Sequence, residues 1–116
     1  MKRLVPYSYF GDERGSFTGI TQEGWQEINI VETKTNEKRG GHYHKETVEL
    51  FYFVSGVVDV SVFKDDGKEE IFTVTKGDIL IIDPFEVHTF FTKSNAVWIN
   101  MLSKAHDAGK PDFHKI

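Results

Sequence analysis

Gly40-Gly41-His42-Tyr43-His44-Lys45-Glu46-Thr47-Val48-Glu49-Leu50-Phe51-Tyr52-Phe53-Val54 decides how this chain is read. Its second half, Val48 to Val54, is dense in β-branched and aromatic residues, the composition of a strand packed into a core. Its first half sets two imidazoles at alternate positions. Alternate residues of a strand share a face, so His42 and His44 point together, and Glu49 stands in phase with Phe51 and Phe53 after the Lys45-Glu46 turn. A second block, Asp83-Pro84-Phe85-Glu86-Val87-His88, supplies His88 in phase with Phe90 and Thr92. Three of the chain's five histidines therefore fall in two short blocks between strand-like runs. Three imidazoles and a carboxylate suit a first-row divalent metal. Imidazole fits Zn, Cu, Fe or Ni, and the carboxylate widens the choice to Mn. A single histidine on a strand is ordinarily just a satisfied side chain, but a buried glutamate is rare unless it is paired or bound to metal.

Outward from these blocks, almost every segment reads as strand and turn. Phe17 to Ile20 and Gln26 to Thr33 are short β-prone runs, the second alternating Ile28 and Ile30 against Asn29 and Val31. Gly56 breaks the chain before Val57 to Phe63, where Val58, Val60 and Val62 share one face and Asp59 and Ser61 the other. Lys64-Asp65-Asp66-Gly67-Lys68 carries an Asp-Gly hairpin signal, with Glu70 to Val74 returning from it. Ile79 to Ile82, Val87 to Thr92 and Ala96 to Leu102 complete the set. The tail, Ser103 to Ile116, is expected to wrap the outside as a turn or short helix. Short strands at regular spacing with no amphipathic helix predict an all-β fold, a two-sheet jelly roll or barrel, as one domain over 1–116.

Composition narrows the classes. The 116 residues are 39% hydrophobic and 14% aromatic, enough for a real core. With no cysteine, disulfides and thiolate metal sites are excluded. A net charge of −4 and a pI near 5.7 argue against nucleic acid as a partner. The basic start, Met1-Lys2-Arg3-Leu4-Val5-Pro6, lacks an apolar signal-peptide run, and no stretch reaches the roughly 18 apolar residues of a membrane span, so a cytoplasmic protein is expected. Lys38-Arg39 and Arg14 are the local basic residues available to a phosphate.

The two blocks resemble the two motifs of the cupin superfamily. In the first motif, a glycine, a His-x-His pair, a glutamate and a closing glycine, the chain matches at His42, His44, Glu49 and Gly56, with Asn36 where the first glycine is expected. Asparagine tolerates left-handed backbone, so that change is mild. In the second motif Gly77 and His88 match, while Asp83, Phe85 and Thr92 replace its Pro, Gly and Asn. That resemblance implies a double-stranded β-helix with His42, His44, Glu49 and His88 on a divalent metal, zinc foremost, with Fe, Ni or Mn as alternatives. It is nearly silent on reaction, because cupins host many functions.

Phe10-Gly11-Asp12-Glu13-Arg14-Gly15-Ser16-Phe17 followed by Lys38-Arg39-Gly40-Gly41-His42-Tyr43-His44 further resembles the nucleotide-sugar cupins. These include dTDP-4-dehydrorhamnose 3,5-epimerases, the 3,4-ketoisomerases and, most of all, the zinc-binding C-terminal cupin domains of CapF-type capsular polysaccharide proteins. The resemblance implies that Arg14 and Arg39 contact a nucleotide diphosphate and that His42 matches the epimerase base. The ketoisomerases lack the glutamate found here at position 49 and need no metal. The epimerases' distant catalytic tyrosine has no placed match.

An epimerase or ketoisomerase of a nucleotide-linked 4-keto sugar needs an electrophile at the carbonyl oxygen and a general base beside the carbon. A metal serving as Lewis acid is worth several kcal/mol, and a positioned base roughly 10²–10⁴-fold. If all four ligands bind metal, the base falls to Tyr43, Lys45, Tyr52, Glu86 or Asp83. If no metal is bound, it is His42 or His44. Two other classes stand beside this one: a non-catalytic cupin that senses a small sugar or acid, and an Fe(II) cupin dioxygenase using the same ligands. A homodimer is also expected, with Leu4 to Phe10 adding a strand to a neighbour.

Overall fold

Val58, Val60 and Val62 are fully buried, while Asp59 and Ser61 between them stay partly exposed. The predicted alternation thus turns one face of this strand into the centre of the molecule. The computed structural model describes residues 1–64 and 66–115, so Asp65 of the expected hairpin and the terminal Ile116 lie outside the described residues. In chain order the strands are β1 (Lys2–Leu4), β2 (Ser8–Asp12), β3 (Gly15–Gly19), β4 (Glu27–Thr33), β5 (Lys38–Tyr43), β6 (Glu49–Ser55), β7 (Val58–Phe63), β8 (Glu69–Val74), β9 (Ile79–Ile82), β10 (Val87–Thr92), β11 (Ala96–Leu102) and β12 (His114–Lys115). No helix occurs among the described residues, so none is long and apolar enough to cross a membrane.

Two five-stranded antiparallel sheets face each other, ordered β1-β9-β6-β11-β4 and β12-β5-β10-β7-β8, with β2-β3 as a separate hairpin. Their inner faces interdigitate through Phe51, Phe53, Leu80, Ile82 and Trp98 from the first sheet and Val58, Val60, Val62, Val74 and Phe90 from the second. Burying a side chain of this kind contributes about 1.5–3 kcal/mol. A second cluster, Leu50, Ile79 and Met101, lies on the outer face of the first sheet, covered by Ile20 and Trp25 with Tyr52 packed beside them. The all-β, two-sheet expectation holds.

The tail, the Leu4–Phe10 stretch and β4 all find strand partners within the chain. The tail forms no helix; it runs back across one end of the sandwich and closes as β12 on β5, pairing His114 with Tyr43 and Lys115 with His42. The Leu4–Phe10 stretch is used inside the chain, where β1 pairs β9 and β2 pairs β3. In β4 the alternation turns Ile28 and Ile30 outward, at 63% and 71% exposure, and leaves Val31 packed against the core.

Two departures from the cupin motifs keep the backbone that the motif glycines would supply. Among the described residues, Asn36 and Phe85 are the non-glycine residues with positive φ, at 62° and 67°. Thr92, at the motif's Asn position, is fully buried; its hydroxyl donates to the Lys34 carbonyl at 2.6 Å and accepts the Glu37 N–H at 2.9 Å.

Candidate metal centre and its pocket

His42 and His88 face each other in register on β5 and β10, with a bulge immediately after His88. Opposite that bulge Gly40 and Gly41 take φ of 104° and 75°. A Cβ at Gly40 would stand 2.4 Å from the His88 carbonyl oxygen, so only glycine lets the strands approach this closely. His44 lies just past the end of β5, and Glu49 opens β6 in the other sheet. Ligands from both sheets and one turn thus meet at one end of the sandwich. One candidate ligand atom from each of His42, His44, Glu49 and His88 lies within 4.8 Å of the others.

The outer hydrogen bonds orient the inner atoms. His44 Nδ1–H donates to the Asp112 carbonyl, and His88 Nδ1 lies 3.3 Å from the Glu86 carbonyl. Each ring therefore turns Nε2 toward Glu49. Glu49 Oε2 accepts the Asn100 amide at 2.9 Å, while Oε1 contacts His44 Nε2 and lies 3.4 Å from His88 Nε2. Even so, His44 Nε2 and Glu49 Oε1 are buried with no hydrogen bond of acceptable geometry. Buried polar atoms are nearly always satisfied, and backbone carbonyls that accept the far ring N–H and so fix the tautomer are the usual support of metal-binding histidine. Donor type, convergence and the orphaned pair all fit a divalent cation.

Without an ion the four groups perturb one another. Burial opposes charge on Glu49, yet His44 and His88 hold its carboxyl well below the usual carboxylate range. For His42, burial and the neighbouring His88 pull the imidazole down to about 4 against the partial opposition of Glu49, which leaves it neutral at pH 7. For His44, burial opposes the charge but the Glu49 contact and Asp112 outweigh it and raise the pKa.

Above the cluster opens a cavity of about 810 Å³. Phe51, Phe90 and Trp98 form its apolar depth, with Phe90 edge-on to both Phe51 and Trp98. Its rim includes Arg39, Lys45, Lys104 and Lys110. Such a volume is of the size that holds a small-molecule ligand.

The expected site residues divide. His42, His44, Glu49 and His88 come together, and Lys45 and Arg39 line the same cavity. The Arg39 guanidinium donates to Thr33 Oγ1 at 2.7 Å and the Glu32 carbonyl at 3.2 Å. Arg14 sits on the β2–β3 hairpin, bound to the Asp12 carboxylate in a separate cleft, and does not line the barrel cavity of its own chain. Tyr43 stacks on Phe85 and lies beside His114, away from the cavity, because the alternation that turns His42 and His44 inward turns it out. Tyr52 is displaced likewise, between Phe51 and Phe53, into the outer cluster. Glu86 is buried, accepts the Asp83 N–H at 2.8 Å and pairs with the Met1 ammonium. Neither it nor Asp83 lines the cavity.

Sequence reasoning missed Asn100, His106, Asp112 and Phe113, all on the cavity wall. Asn100 carried a signal: it is in phase with Trp98 on a strand whose inner face is otherwise apolar. The tail residues carried none, since nothing local places them over the barrel mouth.

A double-stranded barrel with histidines and a glutamate converging at one mouth defines a cupin-type protein. Residues 10–112 match the family described as polysaccharide biosynthesis C-terminal domain, and the chain belongs to that family. Among solved structures it is similar to capsular polysaccharide assembling protein CapF from Staphylococcus aureus, at 22% identity and a TM-score of 0.75 over 97% of this chain and 33% of that one. The chain thus spans about a third of the CapF chain's length. It is also similar to QdtA, a sugar 3,4-ketoisomerase from Thermoanaerobacterium thermosaccharolyticum in complex with TDP, at 18% identity and a TM-score of 0.80 over 97% and 85%. A dTDP-4-dehydrorhamnose 3,5-epimerase from Sulfolobus tokodaii matches at 17% identity and 0.75 over 87% and 69%. At these identities the likeness establishes the fold. Among curated protein sequences none matches.

Proposed function

We propose that this chain is a zinc-binding cupin that acts on a nucleotide-linked 4-keto hexose, as a 3-epimerase or ketoisomerase, in surface polysaccharide synthesis. The carrying observation is the convergence of His42, His44, Glu49 and His88 on a large cavity also lined by arginine and lysine. The family's role in polysaccharide biosynthesis and the TDP held by the similar ketoisomerase support the substrate class.

His42, His44, Glu49 and His88 would hold the ion, and a cation there would supply Lewis-acid stabilisation of charge developing on a substrate oxygen. The chain's own groups do the rest. Phe51, Phe90 and Trp98 line the cavity with apolar surface that would exclude water from a bound sugar, and Arg39 and Lys45 on the same cavity would meet its diphosphate or take up a proton. With all four ligands engaged, Lys45 is the one non-ligand residue among the expected bases that lines the cavity. With His42 free, its neutral imidazole is the base, and the Glu49 carboxylate beside the cluster balances the proton it accepts.

Incubating the protein in D₂O with a panel of dTDP- and UDP-linked 4-keto sugars tests this reading. Deuterium entering C3 is the expected result; no exchange with any member, from protein of measured metal content, overturns it. That outcome would favour a sugar-sensing cupin. Metal analysis finding iron in place of zinc would favour the dioxygenase reading. A homodimer in the cytoplasm completes the proposal, supported by exposed Ile28 and Ile30 on edge strand β4 and by Phe10 and Phe17, 59% and 60% exposed, on the hairpin.

A further inference from the structure

We infer that Asp112 is a positioning residue for the metal centre, fixing His44 and the turn behind it from the far end of the chain. The inference rests on the metal reading above and deepens it. His44 lies beyond the last residue of β5, and residues 44–48 have no strand ladder to hold them. Three of their backbone N–H groups point instead at one side chain. Asp112 Oδ1 accepts from Lys45 N–H at 2.9 Å, and Oδ2 accepts from Glu46 N–H and Thr47 N–H at 2.8 Å each. The Thr47 hydroxyl adds a further bond to Oδ2 at 2.8 Å. Successive N–H groups converging on one anion form a nest, here filled by a carboxylate of the same chain.

The same residue reaches the ligand directly. Its backbone carbonyl takes the Nδ1–H of His44, across 68 positions of sequence, and so directs His44 Nε2 toward Glu49. The next residue, Phe113, stacks on His42 with ring centroids 4.7 Å apart and planes at 25°. A second tie anchors the start of the tail, where Ser103 Oγ accepts Val48 N–H at 2.8 Å and Ser103 N–H donates to the Val48 carbonyl at 3.0 Å. The tail is therefore a strap whose buckle is Asp112, and the carboxylate sets where the His44 ring stands.

The test compares the full chain with Asp112→Ala and Asp112→Asn. Zinc affinity is read by competition with a chromophoric chelator, and ligand geometry by the visible absorption of the cobalt(II)-loaded protein. Circular dichroism of the metal-free proteins monitors the fold. Asp112→Ala is expected to bind zinc about 10-fold or more weakly, with an altered cobalt spectrum and an unchanged metal-free fold. Asp112→Asn keeps one acceptor oxygen and falls between. Should the alanine variant not fold, the asparagine variant decides. Zinc affinity and cobalt spectrum equal to the unmodified chain in the folded variants overturn this inference alone. An unmodified chain that takes up neither metal overturns the metal reading and this inference with it.

Discussion

Asn100 donates its side-chain amide to Glu49 Oε2 at 2.9 Å, which leaves Glu49 Oε1 as the oxygen facing His44 and His88. One carboxylate is thereby divided between a structural bond and a ligand position. Replacing Asn100 by alanine frees the carboxylate to rotate. Zinc affinity is expected to fall about 10-fold, as for other supporting partners of metal ligands, with the circular dichroism spectrum unchanged. Affinity equal to the unmodified protein in a chelator competition would show that the bond is dispensable.

Gly40→Ala should be severe. The new methyl group would stand 2.4 Å from the His88 carbonyl, on a strand whose φ of 104° already disfavours any side chain. Strained backbone of this kind costs about 1–3 kcal/mol, and the displacement moves His88 itself. We expect a lower denaturant midpoint together with loss of zinc uptake, whereas Gly67→Ala, with open space around it, should retain the metal.

Thr92→Val preserves shape and removes the hydroxyl that joins β10 to the 34–37 turn. Leaving the Glu37 N–H and Lys34 carbonyl without that partner should cost about 1–3 kcal/mol, measured by urea unfolding. A change below about 0.5 kcal/mol would mean that water replaces the hydroxyl.

Metal-free stability should depend on pH in a way that His42 dominates on the acid side. Its folded value of about 4 lies below the ordinary 6.5, so between these values the unfolded chain binds a proton that the folded chain does not. This contribution is fully present above pH 6.5 and is lost as pH falls toward 4. The raised His44 works oppositely: its contribution is present below 6.5 and is lost as pH rises through its folded value. Urea midpoints taken in chelator from pH 7 to 4 should therefore fall less steeply in His42→Gln. Parallel curves for the two proteins would contradict the assignment.

Adding zinc should raise the thermal midpoint of the chelator-treated protein. An ion at about 100 times its dissociation constant stabilises the folded state by about 2.7 kcal/mol. His88→Ala is expected to abolish the rise, because it removes a candidate ligand whose Nε2 is turned toward Glu49. A zinc-dependent rise that persists in His88→Ala would place the ion elsewhere.

Much of this architecture was legible in residue order. The Val58-Val60-Val62 alternation became the core face, and the His-x-His spacing with Glu49 and His88 became one cluster. Tyr43 and Tyr52 as site residues contradict the same alternation, since each sits between inward-facing neighbours and so faces out. Glu86, expected among the bases, is engaged by the Met1 ammonium, which is remote in sequence. The position of the tail could not be read locally, because it is decided by a handful of hydrogen bonds between Asp112 and a turn formed much earlier in the chain. Arg14 shows a related limit: its sequence context suggested a phosphate, while its nearest counter-charge in the folded chain is Asp12.

The split origin of the ligands has a mechanical corollary. His42 and His88 belong to one layer of the sandwich and Glu49 to the other. An ion seated among them would act as a rivet, resisting sliding of one layer over its mate at the open end of the barrel.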